Sequence, residues 1–232
     1  MELIYTGKAK KVYKYDENNV VIEHTNNVTA FNSLKKNQFN LKGILNCEIT
    51  TILFQYLANK GIRTHFIKNL SEIEQLCKKV DIIPLEIIVR NQARGSIVKR
   101  LGVKKDFLFK KPIVEFSLKN DELGDPLISE SQIIGLGIVT EKNLKQIQKI
   151  ALSVNIALKN LFSKMDIMLV DFKIELGWYK NQIILADEIT PDCMRLVDKK
   201  SLESLDKDLY REEKGDLVKG YQEFLERLKN VI

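Results

Sequence analysis

The chain has 232 residues, 44% of them hydrophobic and 29% charged, with a formal net charge of +6. That length and apolar content suit one large domain or two small lobes sharing a cleft. No apolar run reaches the roughly 18 residues of a membrane-spanning helix, and Met1 to Gly7 lacks the basic-then-apolar order of a secretory signal, so a cytoplasmic protein with no membrane partner is expected.

The first elements read as strand, loop, strand, turn, strand. Leu3-Ile4-Tyr5 leads into Thr6-Gly7-Lys8-Ala9-Lys10-Lys11, then Val12-Tyr13-Lys14-Tyr15, and Asp16-Glu17-Asn18-Asn19 is a turn signal before Val20-Val21-Ile22-Glu23. A helix follows, with Leu45, Ile49, Ile52, Leu53, Tyr56 and Leu57 at helical spacing and Gly61 as its stop. The apolar, β-branched run Ile82 to Arg90 holds Pro84, so it reads as a linker becoming a buried strand. The lobe boundary falls there, dividing the chain into 1-84 and 85-232. Leu144, Ile147, Ala151, Val154, Leu158 and Leu161 predict a second helix over 141–164. A hairpin comes next: Met168 to Leu176, a turn over Gly177 to Asn181, then Gln182 to Glu188. An amphipathic helix from about Asp208 closes the chain. This order belongs to an α+β or mixed α/β fold.

Cys47, Cys77 and Cys193 are far apart in sequence, and neither His24 nor His65 adjoins one, so no disulfide framework or structural zinc is expected. Acids interleave with the basic residues. That argues against the contiguous basic face of a nucleic-acid binder, and suits small substrates bearing phosphates and carboxylates.

The hairpin is the most informative segment. In Asp171-Phe172-Lys173-Ile174-Glu175 the two-residue period of a strand puts Asp171, Lys173 and Glu175 on one face and Val170, Phe172, Ile174 and Leu176 on the other. A register pairing Asp171 with Asp187 would bring that acid to the charged face. Two carboxylates beside a lysine suit a magnesium–polyphosphate site, because magnesium takes one or two carboxylates plus phosphate oxygens; the alternative is a half-exposed strand with a salt-bridged outer face. Glu188-Ile189-Thr190-Pro191-Asp192-Cys193-Met194-Arg195 then opens from an apolar strand into a loop rich in functional groups. The Gly7 turn, with Lys8 and Lys10, could cradle a phosphate without being a Walker A loop, or be an ordinary basic hairpin turn. Arg90-Asn91-Gln92-Ala93-Arg94-Gly95-Ser96 could do the same by guanidinium, amide and hydroxyl, or be a polar helix start. Lys119 to Pro126 is a polar loop.

Together these segments resemble one family, phosphoribosylaminoimidazole-succinocarboxamide synthase or SAICAR synthetase, almost end to end and in collinear order. Gly7-Lys8-Ala9-Lys10 with Val12-Tyr13 looks like its phosphate loop. Ile83-Pro84-Leu85-Glu86-Ile87-Ile88-Val89-Arg90, closed by Gly95-Ser96, resembles its first signature, and Leu169 to Gly177 its second. Asp187-Glu188, Pro191-Asp192, Arg195-Leu196 and Asp206-Lys207-Asp208 match the segment that follows. Arg94 stands where the first signature usually has a small residue. Asn26 to Ser33 resembles the loop after the third strand, with asparagines for acids and serine for glycine.

The resemblance implies a two-lobed fold whose nucleotide lobe is similar to ATP-grasp and kinase folds. It implies a ligase that uses ATP and Mg2+ to join L-aspartate to 5-amino-1-(5-phosphoribosyl)imidazole-4-carboxylate (CAIR) through an acyl phosphate, acting as a homo-oligomer. Carried over by position, Gly7, Lys8, Ala9, Lys10, Val12, Ile82, Glu86 and Lys119 face the nucleotide, and Glu175 and Asp187 hold magnesium. Arg90, Ser96 and Arg195 bind the ribotide, while Asp171, Lys173 and Asp192 sit where its carboxylate reacts, with the substrate-binding Lys207 and Arg211 nearby for anionic groups. A kinase-like phosphotransferase is the main rival, because Asp171-Phe172-Lys173 resembles D-F-G; lysine replaces the glycine, however, and no H-R-D loop is present.

Overall fold

The computed structural model describes residues 1–30, 35–213 and 215–232. Phe31, Asn32 and Ser33, in the loop expected after the third strand, lie outside the described residues. The first three strands are β1 (Glu2–Thr6), β2 (Lys10–Lys14) and β3 (Asn19–His24). Asp16 accepts the amides of Asn18 and Asn19 at 2.7 and 2.8 Å, closing the predicted turn before β3. A short hairpin, β4 (Asn27–Ala30) with β5 (Lys35–Gln38), precedes helix α1 (Lys42–Asn59). Gly61, at φ +77°, follows the helix as expected. Strands β6 (Phe66–Asn69) and β7 (Glu74–Lys78) complete an antiparallel sheet in the order β1-β2-β3-β7-β6.

Strand β8 (Asp81–Gln92) is continuous across residues 84 and 85. Proline cannot donate to a ladder and is normally confined to edges or bulges. Pro84 is tolerated because β9 (Leu108–Leu118) pairs with β8 only from Leu85 onward, and because the opposite neighbour, β10 (Ile167–Tyr179), shifts register between Glu175 and Gly177. Between β8 and β9 lies helix α2 (Ser96–Leu101); α3 (Glu130–Gly135) and α4 (Glu141–Ser163) precede β10. Strands β11 (Gln182–Ala186) and β12 (Met194–Asp198) both pair with β10, so the second sheet runs β11-β10-β8-β9 with β12 also on β10.

Three expectations change. The hairpin turn is shorter than predicted: β10 runs through Gly177 to Tyr179, and Lys180 and Asn181 alone make the turn, both at positive φ as a tight two-residue hairpin requires. Glycine serves at 177 because a Cβ there would lie 3.0 Å from the Asp81 carbonyl oxygen. The register pairs Glu175 with Ala186, and Asp171 faces Arg195 on one side and Arg90 on the other, so Asp171 does not pair with Asp187. The closing helix is divided into α5 (Asp208–Arg211) and α6 (Leu217–Lys229), the latter capped by the Asp216 carboxylate.

One apolar core joins α1, β8, α4, β10 and α6 through residues such as Leu53, Ile87, Leu158, Phe172 and Phe224. Burying each such side chain contributes roughly 1.5–3 kcal/mol. Helix α1 contacts β3 and β6 on one side and α6 on the other, which explains why it buries Asn46, Thr50 and Thr51 as well as its leucines. The polar face of β10 is buried too: Asp171 and Glu175 are each 3% exposed. That excludes the solvated, salt-bridged outer face.

Candidate active site

Adjacent strands β8 and β10 form the floor of a cavity of about 510 Å³. Alternation puts Glu86, Ile88 and Arg90 of β8 beside Glu175, Lys173 and Asp171 of β10, directly paired in register. The Gly7–Lys10 turn closes one side, where the Gly7 amide donates to the Lys10 carbonyl at 2.9 Å. The residue 187–195 segment, Lys119, Lys207 and Arg211 supply the remaining walls.

Every cationic side chain here meets an acid. Lys8 Nζ lies 2.7 Å from Asp121, Lys10 contacts Asp187 and is 3.8 Å from Glu188, and Lys119 lies 2.5 Å from Glu175. Lys173 bridges Glu86 at 2.5 Å and Glu175 at 3.7 Å. Burial opposes charge on Lys173, but Glu175 and Glu86 hold its ammonium above the usual lysine range. Burial pushes the Glu175 carboxyl up, and Lys173, Lys10 and Lys119 outweigh it, leaving that group below the usual carboxylate range.

The other end of the floor is an arginine–aspartate lattice. Arg90 Nη1 donates to Asp171 at 2.9 Å and its Nε to Glu115 at 2.6 Å. Arg195 Nη1 donates to both Asp171 oxygens, at 2.9 and 3.2 Å, and its Nε to Asp208 at 2.9 Å; Arg211 reaches Asp208 at 2.7 Å. Burial raises the Asp171 carboxyl against the pull of Arg195 and Arg90. Ser96 accepts weakly from Arg90 Nη2 at 3.5 Å; it opens α2 at the cavity wall, and Gly95 is the cap.

Most of the residues singled out from sequence thus meet in one cavity: Gly7, Lys8, Ala9, Lys10, Glu86, Arg90, Ser96, Lys119, Asp171, Lys173, Glu175, Asp187, Asp192, Arg195, Lys207 and Arg211 all line it. Two do not. Val12 packs on Val20, Ile22 and Cys77 inside the first sheet, and Ile82, 40% exposed, sits at the outer start of β8. Arg94 turns away to pair with Asp106, so its size does not narrow the cavity. Cys193 lines the wall, but burial pushes its thiol up to about 12, which makes it a poor nucleophile.

Several members escaped the sequence reading. Asp121 and Asp125 face Lys8, Glu115 anchors Arg90, and Asp208 ties Arg195 to Arg211. Lys42 and Tyr221 reach Asp192 from α1 and α6. Only Asp208 carried a signal, as part of the Asp206-Lys207-Asp208 match.

Glu175 and Asp187 open onto the same cavity from neighbouring strands. Their donor chemistry fits magnesium: two hard carboxylates, each beside a lysine, facing a space where phosphate oxygens could complete the shell. Among the described residues no three His, Cys, Asp or Glu groups gather closely enough to hold a metal alone. No helix among the described residues is long and apolar enough to cross a membrane.

Comparison with known proteins shows similarity to one family along nearly the whole chain. The family model described as SAICAR synthetase matches residues 3–228. The phosphoribosylaminoimidazole-succinocarboxamide synthase of Clostridium novyi is 50% identical over 230 residues, covering 99% of this chain and 98% of that protein. The crystal structure of the corresponding synthase from Ehrlichia chaffeensis superposes with TM-score 0.96 at 42% identity, covering 100% of this chain and 99% of the other. A SAICAR synthetase solved in complex with ADP gives TM-score 0.96 at 43% identity, covering 99% and 98%.

Proposed function

The chain belongs to the SAICAR synthetase family of ligases, and from that premise we propose that it joins L-aspartate to CAIR at the expense of ATP, yielding SAICAR, ADP and phosphate. The observation that carries the reading is the single cavity in which three lysines meet the Glu175–Asp187 carboxylates at one end and three arginines and Asp171 fill the other. Phosphoryl transfer needs mainly positioning and charge neutralisation, and this is the inventory that supplies both.

Lys8, Lys10 and Lys119 neutralise the nucleotide phosphates, with Gly7 and Ala9 letting the backbone approach. Glu175 and Asp187 would hold magnesium, which would neutralise charge on the ATP phosphates. Arg90, Ser96, Arg195, Lys207 and Arg211 take the ribotide and its phosphate. Lys173, between the two ends, sits where the ribotide carboxylate meets the γ-phosphoryl group. The carboxylate oxygen attacks phosphorus, the bond to ADP breaks, and an acyl phosphate forms. Aspartate's amine then attacks the acyl carbon, the amide bond forms, and phosphate departs as the amine loses a proton. The nucleotide would lie between the Gly7–Lys10 turn of residues 1-84 and Lys119, Glu175 and Asp187 of residues 85-232, and the ribotide against 85-232 alone.

The test is to mix protein, magnesium, ATP, CAIR and aspartate, omitting each in turn, and to follow ADP release. Only the complete mixture should turn over steadily. ADP release that ignores aspartate would instead favour a kinase-like activity.

A further inference from the structure

We infer that Lys42, at the start of α1, is a positioning residue for this site: together with Asn46 and Tyr221 it fixes Asp192 as a permanent anion, and Asp192 in turn presents the Lys207 ammonium to the cavity. The inference rests on reading the cavity as the ligase site.

Lys42 is 0% exposed. Its Nζ lies 2.5 Å from Asp192 Oδ2, and no acceptor meets it with good hydrogen-bond geometry, so the contact is ionic. Asn46, one turn further along α1, donates to the same oxygen at 2.9 Å. The other oxygen, Oδ1, accepts the Tyr221 hydroxyl from α6 at 2.9 Å and faces Lys207 Nζ at 3.7 Å. Both carboxylate oxygens are thereby occupied from three separate helices or helix starts. Asp192 and Lys207 line the cavity, whereas Lys42, Asn46 and Tyr221 do not.

A buried ion pair is weak grounds for stability, since desolvation of both charges offsets their attraction. A fold that hides a lysine completely and spends it on one aspartate of the reaction cavity has placed it to define that aspartate's charge and orientation. The titratable groups around Asp192 are Lys42 from α1, Lys207 before α5, Tyr221 from α6 and Cys193 next in the chain; Asp206 lies close to Tyr221. Burial works against the charged carboxylate, yet Lys42 and then Lys207 hold Asp192 well below the usual carboxylate range. An acid so held is a poor proton acceptor. Asp192 therefore does not take the proton from the attacking amine; it is a fixed negative strut.

The experiment compares the parent protein with Lys42→Met, Tyr221→Phe and Asp192→Asn, each checked for folding by thermal melting. The readouts are kcat, the KM for ATP, and the pH profile of kcat between about pH 5.5 and 8.5. Removing the Lys42 charge should lower kcat about 10- to 100-fold with little change in the KM for ATP. It should also move the acid limb of the profile upward, because Asp192 then gains a proton within the working range. Tyr221→Phe removes one neutral hydrogen bond and leaves Lys42 and Lys207 in place, so it should cost roughly fivefold in kcat with the limb unmoved. Asp192→Asn should lose activity at every pH without a displaced limb. A merely structural Lys42 would change the melting temperature and leave the pH profile in place. Folded Lys42→Met with parental kcat and limb overturns the inference; should that variant not fold, Lys42→Gln, which keeps a polar head but no charge, carries the same test, and parental kcat and limb there overturn it. A parent protein without aspartate-dependent turnover fails at the earlier step, and that outcome condemns the reading of the cavity instead.

Discussion

Gly95 leaves its side of the backbone to Arg195. A Cβ at residue 95 would lie 2.6 Å from Arg195 Nη2 and 2.9 Å from its Cζ, and the residue's φ of +66° is one that L side chains rarely adopt. The guanidinium is pressed flat against the entrance of α2, where it also holds Asp171 and Asp208. Gly95→Ala should therefore raise the KM for the ribotide by tenfold or more and leave the KM for ATP within about twofold. Arg195→Lys should do the same, since an ammonium cannot reproduce the planar fork. Steady-state kinetics with each substrate varied separately decides both; an unchanged ribotide KM would remove Arg195 from that pocket.

Glu175→Gln keeps the shape of the floor while removing a negative charge that Lys119 and Lys173 both address. Turnover should drop by about 10²-fold or more through loss of a metal ligand. Raising magnesium should recover part of it. Parental kcat in the purified, folded variant would refute the metal assignment.

Lys10 contacts Asp187 and approaches Glu188, so Lys10→Ala removes a phosphate-facing charge and leaves two acids facing the same space. The KM for ATP should rise by tenfold or more, and ADP affinity by calorimetry should fall in parallel. Equal ADP affinity in parent and variant would place the nucleotide elsewhere.

Asp198, which does not line the cavity, offers a control. It accepts the Ser201 and Lys200 amides at 2.6 and 2.8 Å and pairs with Arg227 of α6 at 2.6 Å. The Ser201 amide, with Arg227 and the Lys200 amide, holds its carboxyl down to about 2 against the effect of burial. An unfolded aspartate sits near ~3.9. The folded value is the lower one, so this stabilisation is complete above about pH 4 and is lost as pH falls toward 2; it amounts to about 2 kcal/mol. Asp198→Ala should lower stability by about that amount at neutral pH, with no change in any KM. Denaturant titration at neutral pH and near pH 2.5 should show the difference shrinking in acid.

The hairpin's alternation made Asp171, Lys173 and Glu175 legible in the sequence, because period two is a local property of a strand. Register is not local. Asp171 pairs with Arg90 and Arg195 rather than Asp187 because β10 has β8 on one side and β12 on the other, a placement that no window of sequence contains. The same holds for Lys42, which lies 150 residues before Asp192 (192 − 42), within a helix whose other residues read as ordinary core. Val12 shows the converse. Lys10, two residues before it, faces the cavity, yet Val12 packs into the first sheet's own small core. The short strands β4 to β7 carry too few residues for a period to emerge.

The cavity cations are already engaged by the protein's own carboxylates. On the proposed reading an incoming triphosphate would enter by exchange, taking over lysines from Asp121, Asp187 and Glu175 and setting those acids loose. A bare polyanion would leave the freed carboxylates repelling it, whereas one that arrives with a divalent companion would hand Glu175 and Asp187 a new partner. Selectivity for metal-loaded over metal-free nucleotide is on this view a property of the resting protein, set before any ligand is bound.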